Sequence, residues 1–206
     1  MSYPYHNDGR RNAGYGNVVV NAAEERFKCL TNIIGFPIEP EQYQLWLPAI
    51  THSSHAGNAR GSNAGLARLG DLAMKTVQTA VLYRAGLGDN GRVHRDTIQG
   101  LLAQVPLEKV CRRHGLDDLV YQKGMATLTG KCCADLVQAI IGAVYIDCVS
   151  RQCNPMEHVE AVMRNLGLLD DPSEPQQAGS SNMAYVSPGN DYAANPNYGY
   201  YTSPPY

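Results

Sequence analysis

An all-α domain is the fold class this sequence predicts, and three observations predict it. Apolar residues recur at three- and four-residue spacing in separate runs between residues 24 and 166. No alternating strand pattern of useful length interrupts them. Glycine and proline fall where such runs should stop: Gly35 with Pro37, Gly86 with Gly88, Pro106 and Gly115. At 206 residues and 44% hydrophobic content, the chain has enough apolar surface for one sizeable core with tails.

The elements follow in order. Residues 1–16 are Tyr, Asn, Gly and Arg without periodicity and are expected to be disordered. Phe27, Leu30, Ile33 and Ile34 stripe a first helix between residues 24 and 34. Leu45, Leu47 and Ile50 lead into Thr51-His-Ser-Ser54, and a Gly/Asn/Ser loop covers 56–63. Leu66, Leu69, Ala73, Val77, Ala80 and Val81 mark a long amphipathic helix that ends near Gly86. Residues 97–105 and 107–114 read as two helices parted at Pro106. Val137, Ile140, Ile141, Val144 and Tyr145 stripe the strongest helix, and Val159, Val162, Met163 and Leu166 a closing one. Residues 170–206 hold six of the thirteen tyrosines among Pro, Ser, Asn and Gly, and are expected to be a disordered polar tail. The domain proper is thus expected over 17–169.

Charge and cysteine usage narrow the function classes. A formal net charge of −2 carries no global nucleic-acid signature, so any RNA surface must come from local patches. The tail is acidic, with Asp170, Asp171, Glu174 and Asp191 against no Lys or Arg. Cys29, Cys111, Cys132, Cys133, Cys148 and Cys153 form no C-x-x-C pair, and the six histidines supply no complementary one. They are read as free thiols in a reducing compartment, so an intracellular protein is expected, its organelle open. No apolar run is expected to reach the roughly 18 residues of a membrane span. The N-terminus lacks an apolar signal core, and Asp8 beside Arg10 and Arg11 disfavours an amphipathic presequence.

Two segments carry the candidate chemistry: Asn63-Ala-Gly-Leu-Ala-Arg-Leu-Gly-Asp71 and Ala134-Asp-Leu-Val-Gln-Ala-Ile-Ile-Gly-Ala-Val-Tyr-Ile-Asp147. Asp71 and Ala67 are four apart and share one helix face, as do Asp135 and Gln138 at a spacing of three. Gly70 inside a helical pattern costs about 1 kcal/mol relative to alanine, which points to a close approach by another segment. Gly142 leaves its own face equally uncrowded. On local pattern alone Asp71 also reads as a solvated carboxylate, and Asp135 also as a helix N-cap. His52 reads as a structural, hydrogen-bonded histidine beside Ser53 and Ser54. Arg60, Arg68, Lys75, Arg112, Arg113, Lys123 and Lys131 are scattered cations, and Arg112-Arg113 is the tight pair among them for phosphate contact.

These segments resemble the two signature helices of the ribonuclease III domain, whose usual forms read N-E-R-L-E-F-L-G-D and A-D-x-x-E-A-x-x-G-A-x-Y-x-D. The resemblance runs from Phe27 to Leu166 and includes Ala49-Ile-Thr-His-Ser-Ser54, similar to A-L-T-H-x-S. It also includes Val105-Pro-Leu-Glu-Lys-Val-Cys-Arg-Arg-His-Gly-Leu116, similar to the stretch before the second motif. It implies a ribonuclease III-type fold, a two-fold homodimer or a heterodimer with an active paralogue, and double-stranded RNA as partner; the lack of a membrane-length apolar run adds the expectation of no membrane. It places Asp71 and Asp135 at acidic catalytic and metal positions, with Gln138 a weak third ligand. The family's two glutamates are replaced here by Ala67 and Gln138. In the family, magnesium activates water against a phosphate of duplex RNA, so Mg2+ is the implied cofactor if the protein is active. The sequence therefore predicts a catalytically impaired, RNA-binding or ribonucleoprotein scaffold, with a magnesium-dependent duplex-RNA endonuclease using Asp71 and Asp135 as the alternative. No separate RNA-binding module is expected within these residues, so duplex recognition would rest on the core.

Overall fold

The computed structural model describes residues 16–55, 61–89, 91–124 and 127–169. The expectations for 1–15 and 170–206 lie outside the described residues, while Gly16 belongs to the first helix.

That helix, α1 (Gly16–Ile34), begins earlier than the apolar stripe suggests. Ala23, Phe27, Leu30 and Ile34 bury its inner face at helical spacing. Gly35, at φ +65°, turns the chain out, and Asn165 Nδ2 donates to Ile34 O at 2.9 Å, satisfying a carbonyl the helix end would orphan. A short 3-10 turn (Pro40–Gln42) then leads into α2 (Tyr43–Trp46), which drives Trp46 into the core. Among the described residues there is no strand. A single parallel bridge joins Thr51 to Tyr121, with Tyr121 N donating to Ile50 O at 2.8 Å and His52 N to Tyr121 O at 2.9 Å.

The long helix α3 (Ala64–Arg84) buries Ala73 and Val77 of the predicted stripe, but adds a row of residues that the stripe did not include. Ala67, Gly70, Ala73, Met74 and Val77 are buried, whereas Leu66 and Leu69 are half-buried and Ala80 is exposed. Small residues face inward because the partner helix comes too close for leucine. Two helices follow, α4 (Gly91–Leu102) and α5 (Gln104–Arg113). The break between them is at extended Ala103, not at Pro106. Pro106 is in the first turn of α5, where its missing N–H would have had no intrahelical partner.

At the centre is α6 (Gly130–Ser150), followed by α7 (Pro155–Asn165). Thr129 caps α6, its hydroxyl accepting from Cys132 N at 3.3 Å, so Asp135 lies in the second turn and is not the cap. Contrary to the expectation from sequence, α6 is long and apolar enough to cross a membrane by length and composition, but 67% of that window is buried inside the bundle. It is the core helix, packed by α3, α5 and α7. Cys111 and Cys133 meet between α5 and α6, and burial pushes both thiols up, so they sit there as neutral groups.

The crossing of α3 and α6 depends on two glycines. A Cβ on Gly70 would overlap Gln138 O and come within 2.9 Å of Gly142 N, and one on Gly142 would overlap Leu66 O. Alanine in an open helical position normally stabilises by up to about 1 kcal/mol. At these two positions the sign should reverse, with Gly70→Ala and Gly142→Ala each losing about 1–3 kcal/mol in urea unfolding. Gly100→Ala, whose Cβ meets nothing within 4 Å, should show no loss.

Candidate functional site

Because the crossing is tight, the flanks of α3 and α6 beside it share one cleft. Asp71 follows Gly70, and Ala67 and Ala64 continue its row one and two turns back. From α6, Gln138 stands one turn before Gly142 and Asp135 another turn before that. These five, with Arg68 and Lys131, line a cavity of about 340 Å³. The structure thus brings together Asp71, Asp135 and Gln138, the residues the sequence singled out for metal chemistry.

Their electrostatics differ from those of a metal cage. Lys75 Nζ donates to Asp71 Oδ2 at 2.7 Å, and Gln138 Nε2 donates to Asp71 Oδ1 at 3.3 Å. Lys131 Nζ donates to Asp135 Oδ2 at 2.7 Å, which raises the lysine above its usual range. Each aspartate therefore already faces a cation four residues away on its own helix. Arg68 enters the same cleft with no ion pair among the described residues. Ala67, at 5% exposure, offers no oxygen where the resemblance places a glutamate. Magnesium takes near-octahedral oxygen ligands and needs anionic charge to offset its own. Two lysine-paired carboxylates and one neutral amide that already donates to one of them do not fit that group.

His52 is structural, as its position suggested. Ser54 N donates to His52 Nδ1 at 3.1 Å, and Nε2 lies 3.3 Å from Cys132 Sγ. Arg112 and Arg113 do not line the cleft. Arg112 reaches Glu108, Asp117 and Leu128 O, and Arg113 Nη2 donates to Leu166 O at 2.6 Å, so both tie α5 to neighbouring segments.

Asp147, the last residue of the second segment, has no role implied by the sequence. It is fully buried, accepting from Trp46 Nε1 at 2.7 Å and from Arg151 Nε at 2.5 Å and Nη2 at 3.1 Å. A lone acid within an apolar helix, followed four residues later by arginine, was the available signal, since a buried charge must be paired.

An all-α body whose two long helices bring Asp71 and Asp135 to one cleft has the architecture that the ribonuclease III-type resemblance implies. The family model described as "Ribonuclease-III-like" matches residues 42–162. "Ribonuclease 3" of Leifsonia xyli subsp. xyli is 33% identical over 148 residues, which cover 68% of this chain and 59% of that protein. The chain thus spans less than two thirds of that relative's length. Two structures of the nuclease domain of ribonuclease III from Campylobacter jejuni superpose with TM-scores of 0.57 and 0.56. They are 18% and 19% identical, and each alignment covers 68% of this chain and 94% and 91% of the respective structure. This chain belongs to the ribonuclease-III-like family.

Placing a third carboxylate in the cleft, beside Asp71 and Asp135, should expose its charge balance. Gln138→Glu would set like charges beside Asp71, now 3.3 Å from the amide nitrogen. The variant should melt lower than wild type in chelator and recover in millimolar magnesium, while the wild-type melting temperature should not respond to magnesium. Thermal scans with and without the ion check both.

Proposed function

We propose that this protein is a ribonuclease III-fold domain impaired in phosphodiester cleavage that serves RNA processing as a dimeric RNA-binding or ribonucleoprotein scaffold. The observation that carries this reading is the cleft itself: Ala67 replaces one family acid, Gln138 another, and lysines pair both remaining aspartates. Losing an outer partner of a metal typically costs 10–100-fold in affinity or activity, and losing direct ligands costs more. The same side chains suit phosphate oxygens. Arg68 and Lys131 border the cavity, and an RNA backbone can be held by such cations without hydrolysis. Duplex RNA is recognised largely by shape and backbone, which asks for a rigid surface rather than a base-reading loop. Arg112 and Arg113 belong to this proposal as further phosphate contacts, made with what their guanidinium groups leave uncommitted. The proposed partner is a second copy of the chain or an active paralogue, and the proposed setting is intracellular.

One observation favours the alternative, a magnesium-dependent duplex-RNA endonuclease. Asp71 and Asp135 both line the same cleft, together with Gln138.

One assay separates the two. Wild type, Ala67→Glu with Gln138→Glu, and Asp135→Ala are compared on one RNA duplex in magnesium. The wild type should bind duplex with an affinity that falls as salt rises and leave it intact, whereas the double variant should bind magnesium more tightly and regain cleavage. The single restorations should do less, because ligands that act as a unit are not additive. Robust wild-type cleavage that vanishes in Asp135→Ala would overturn the scaffold reading in favour of the enzyme.

In light scattering, the purified protein at micromolar concentration should show the mass of a pair, the commonest closed symmetric assembly. A strict monomer would remove self-association from the proposal and leave only a partner of different sequence.

A further inference from the structure

About 20 Å along α6 from Asp135, at 1.5 Å per residue, the helix ends in a corner that assembles three soft-metal ligands from one short stretch of chain. Two capping geometries share a single residue there. The C-terminus of α6 closes with Gln152 N donating to Val149 O at 3.2 Å and Cys153 N donating to Cys148 O at 3.0 Å. This is the Schellman pattern, which sets the second residue past the cap against the residue three from the end. Those residues are Cys153 and Cys148. Gln152 takes the left-handed conformation, φ 57°, that the motif demands and that glycine usually fills. It is the one described non-glycine residue with positive φ.

The next helix begins at once. Asn154 caps α7, its side chain accepting from Met156 N at 3.1 Å, with Pro155 in the first helical position. Cys153 is then the residue before that cap and His158 the fourth helical residue. These are the two positions a hydrophobic staple brings into contact. Cys153 therefore touches Cys148 by one rule and His158 by the other.

Apolar side chains satisfy both rules, and here all three positions carry sulfur or imidazole. The ligating atoms of Cys148, Cys153 and His158 lie no more than 4.8 Å from one another. Tetrahedral zinc with bonds of about 2.0–2.3 Å holds such atoms roughly 3.5–3.8 Å apart, so side-chain rotation of about an ångström closes the set. Cys148 is buried, while Cys153 and His158 are half-buried, which leaves a face open to water. The imidazole is already oriented, edge-on to the Phe36 ring at 5.6 Å between centroids. Burial pushes the Cys148 thiol up to about 12, so an ion that binds there must displace the proton of a neutral thiol.

We propose that Cys148, Cys153 and His158 form a zinc site that ties the end of α6 to the start of α7, with water as the fourth ligand. Thiolate and imidazole donors select zinc over magnesium or calcium, which prefer oxygen. Two thiol protons pass to solvent as two Zn–S bonds form, and the imidazole binds neutral, so the bound ion and its ligands carry no net charge. Phe36, on which His158 packs, also packs on Trp46 at 5.9 Å between centroids, so the ion would brace the wall that holds the Trp46–Asp147–Arg151 network. The spacing is C-x4-C-x4-H, wider than the paired-cysteine patterns by which zinc sites are read from sequence.

The test uses the full chain, purified with chelator and reductant and then titrated with cobalt(II) as a coloured probe. Wild type should bind one cobalt with tetrahedral ligand-field bands and a thiolate-to-cobalt charge-transfer band, both bleached by stoichiometric zinc. Cys153→Ser and His158→Phe should each weaken cobalt binding by more than the roughly 10–100-fold that outer partners cost. Their metal-free melting should match the wild type, because both residues are half-buried and phenylalanine preserves the staple. Zinc should raise the wild-type melting temperature and leave that of His158→Phe unchanged. Cys132→Ser, whose thiol faces His52, should leave the spectrum unaltered. Absence of the charge-transfer band in fully reduced wild type would overturn the proposal. So would a cobalt spectrum that survives Cys148→Ala with Cys153→Ser, since the ion would then sit elsewhere, as would a Cys148–Cys153 disulfide that resists reductant.

Discussion

Backbone meets backbone where α3 crosses α6, with no side chain between Gly70 and Gln138 O or between Gly142 and Leu66 O. Helices with ordinary side chains at the contact stay about 8–10 Å apart, and glycine at both contact points removes the atoms that keep them there. Everything beside the crossing inherits its precision. The inner face of α3 must be small, so Ala67 and Ala73 are buried while Leu66 and Leu69 are displaced to the flanks. The next residues outward, Asp71 and Gln138, are close enough for a direct hydrogen bond. A glycine that lowers helix propensity is retained because the pair of helices, not the single helix, is the stable unit.

The same closeness explains what losing acids does to such a cleft. Carboxylates forced together on two tightly crossed helices repel, and only a cation makes their company favourable. Ala67 and Gln138 remove that repulsion, and the i,i+4 lysines absorb what remains. Each such pair is worth only a few tenths of a kcal/mol when exposed, but together they set two ammonium groups against the two carboxylates of the cleft. The chemistry of the family depends on charges that the crossing does not require.

A second polar device holds the other end of α6. Asp147, Trp46 and Arg151 form a buried network that joins α2 to the core helix. Removing one partner from such a pair typically costs about 3–5 kcal/mol, because the other charge is left uncompensated. The single tryptophan of the chain is thereby held at a defined depth and angle, and Phe36, His158 and the corner between α6 and α7 pack outward from it. The corner is built by capping rules that fix which residues meet but not what they are made of.

Helical periodicity, helix-stopping glycines and the ordered motif matches were enough to read an all-α ribonuclease III fold from the sequence. They were also enough to place Asp71, Asp135 and Gln138 on two helix faces, because i to i+4 geometry is local. The local signals failed where a tertiary neighbour decides. Ala73 and Val77 of the predicted stripe are buried, but Leu66 and Leu69 are displaced to its flank, since periodicity counts hydrophobicity and cannot see how close the partner helix lies. Pro106 was read as a break although a first turn tolerates it, and Asp135 remained a possible cap until Thr129 took that position. The pairing of each aspartate with its lysine is written in the spacing, but whether those pairs share one cleft depends on the crossing. Asp147 reaching Trp46, 101 positions away, and Cys148 meeting His158 across a left-handed turn required the folded chain. Sequence determines which residues lie on a common face of one element, and tertiary structure decides which faces meet, because contact between distant segments depends on interhelical distances that no single segment encodes.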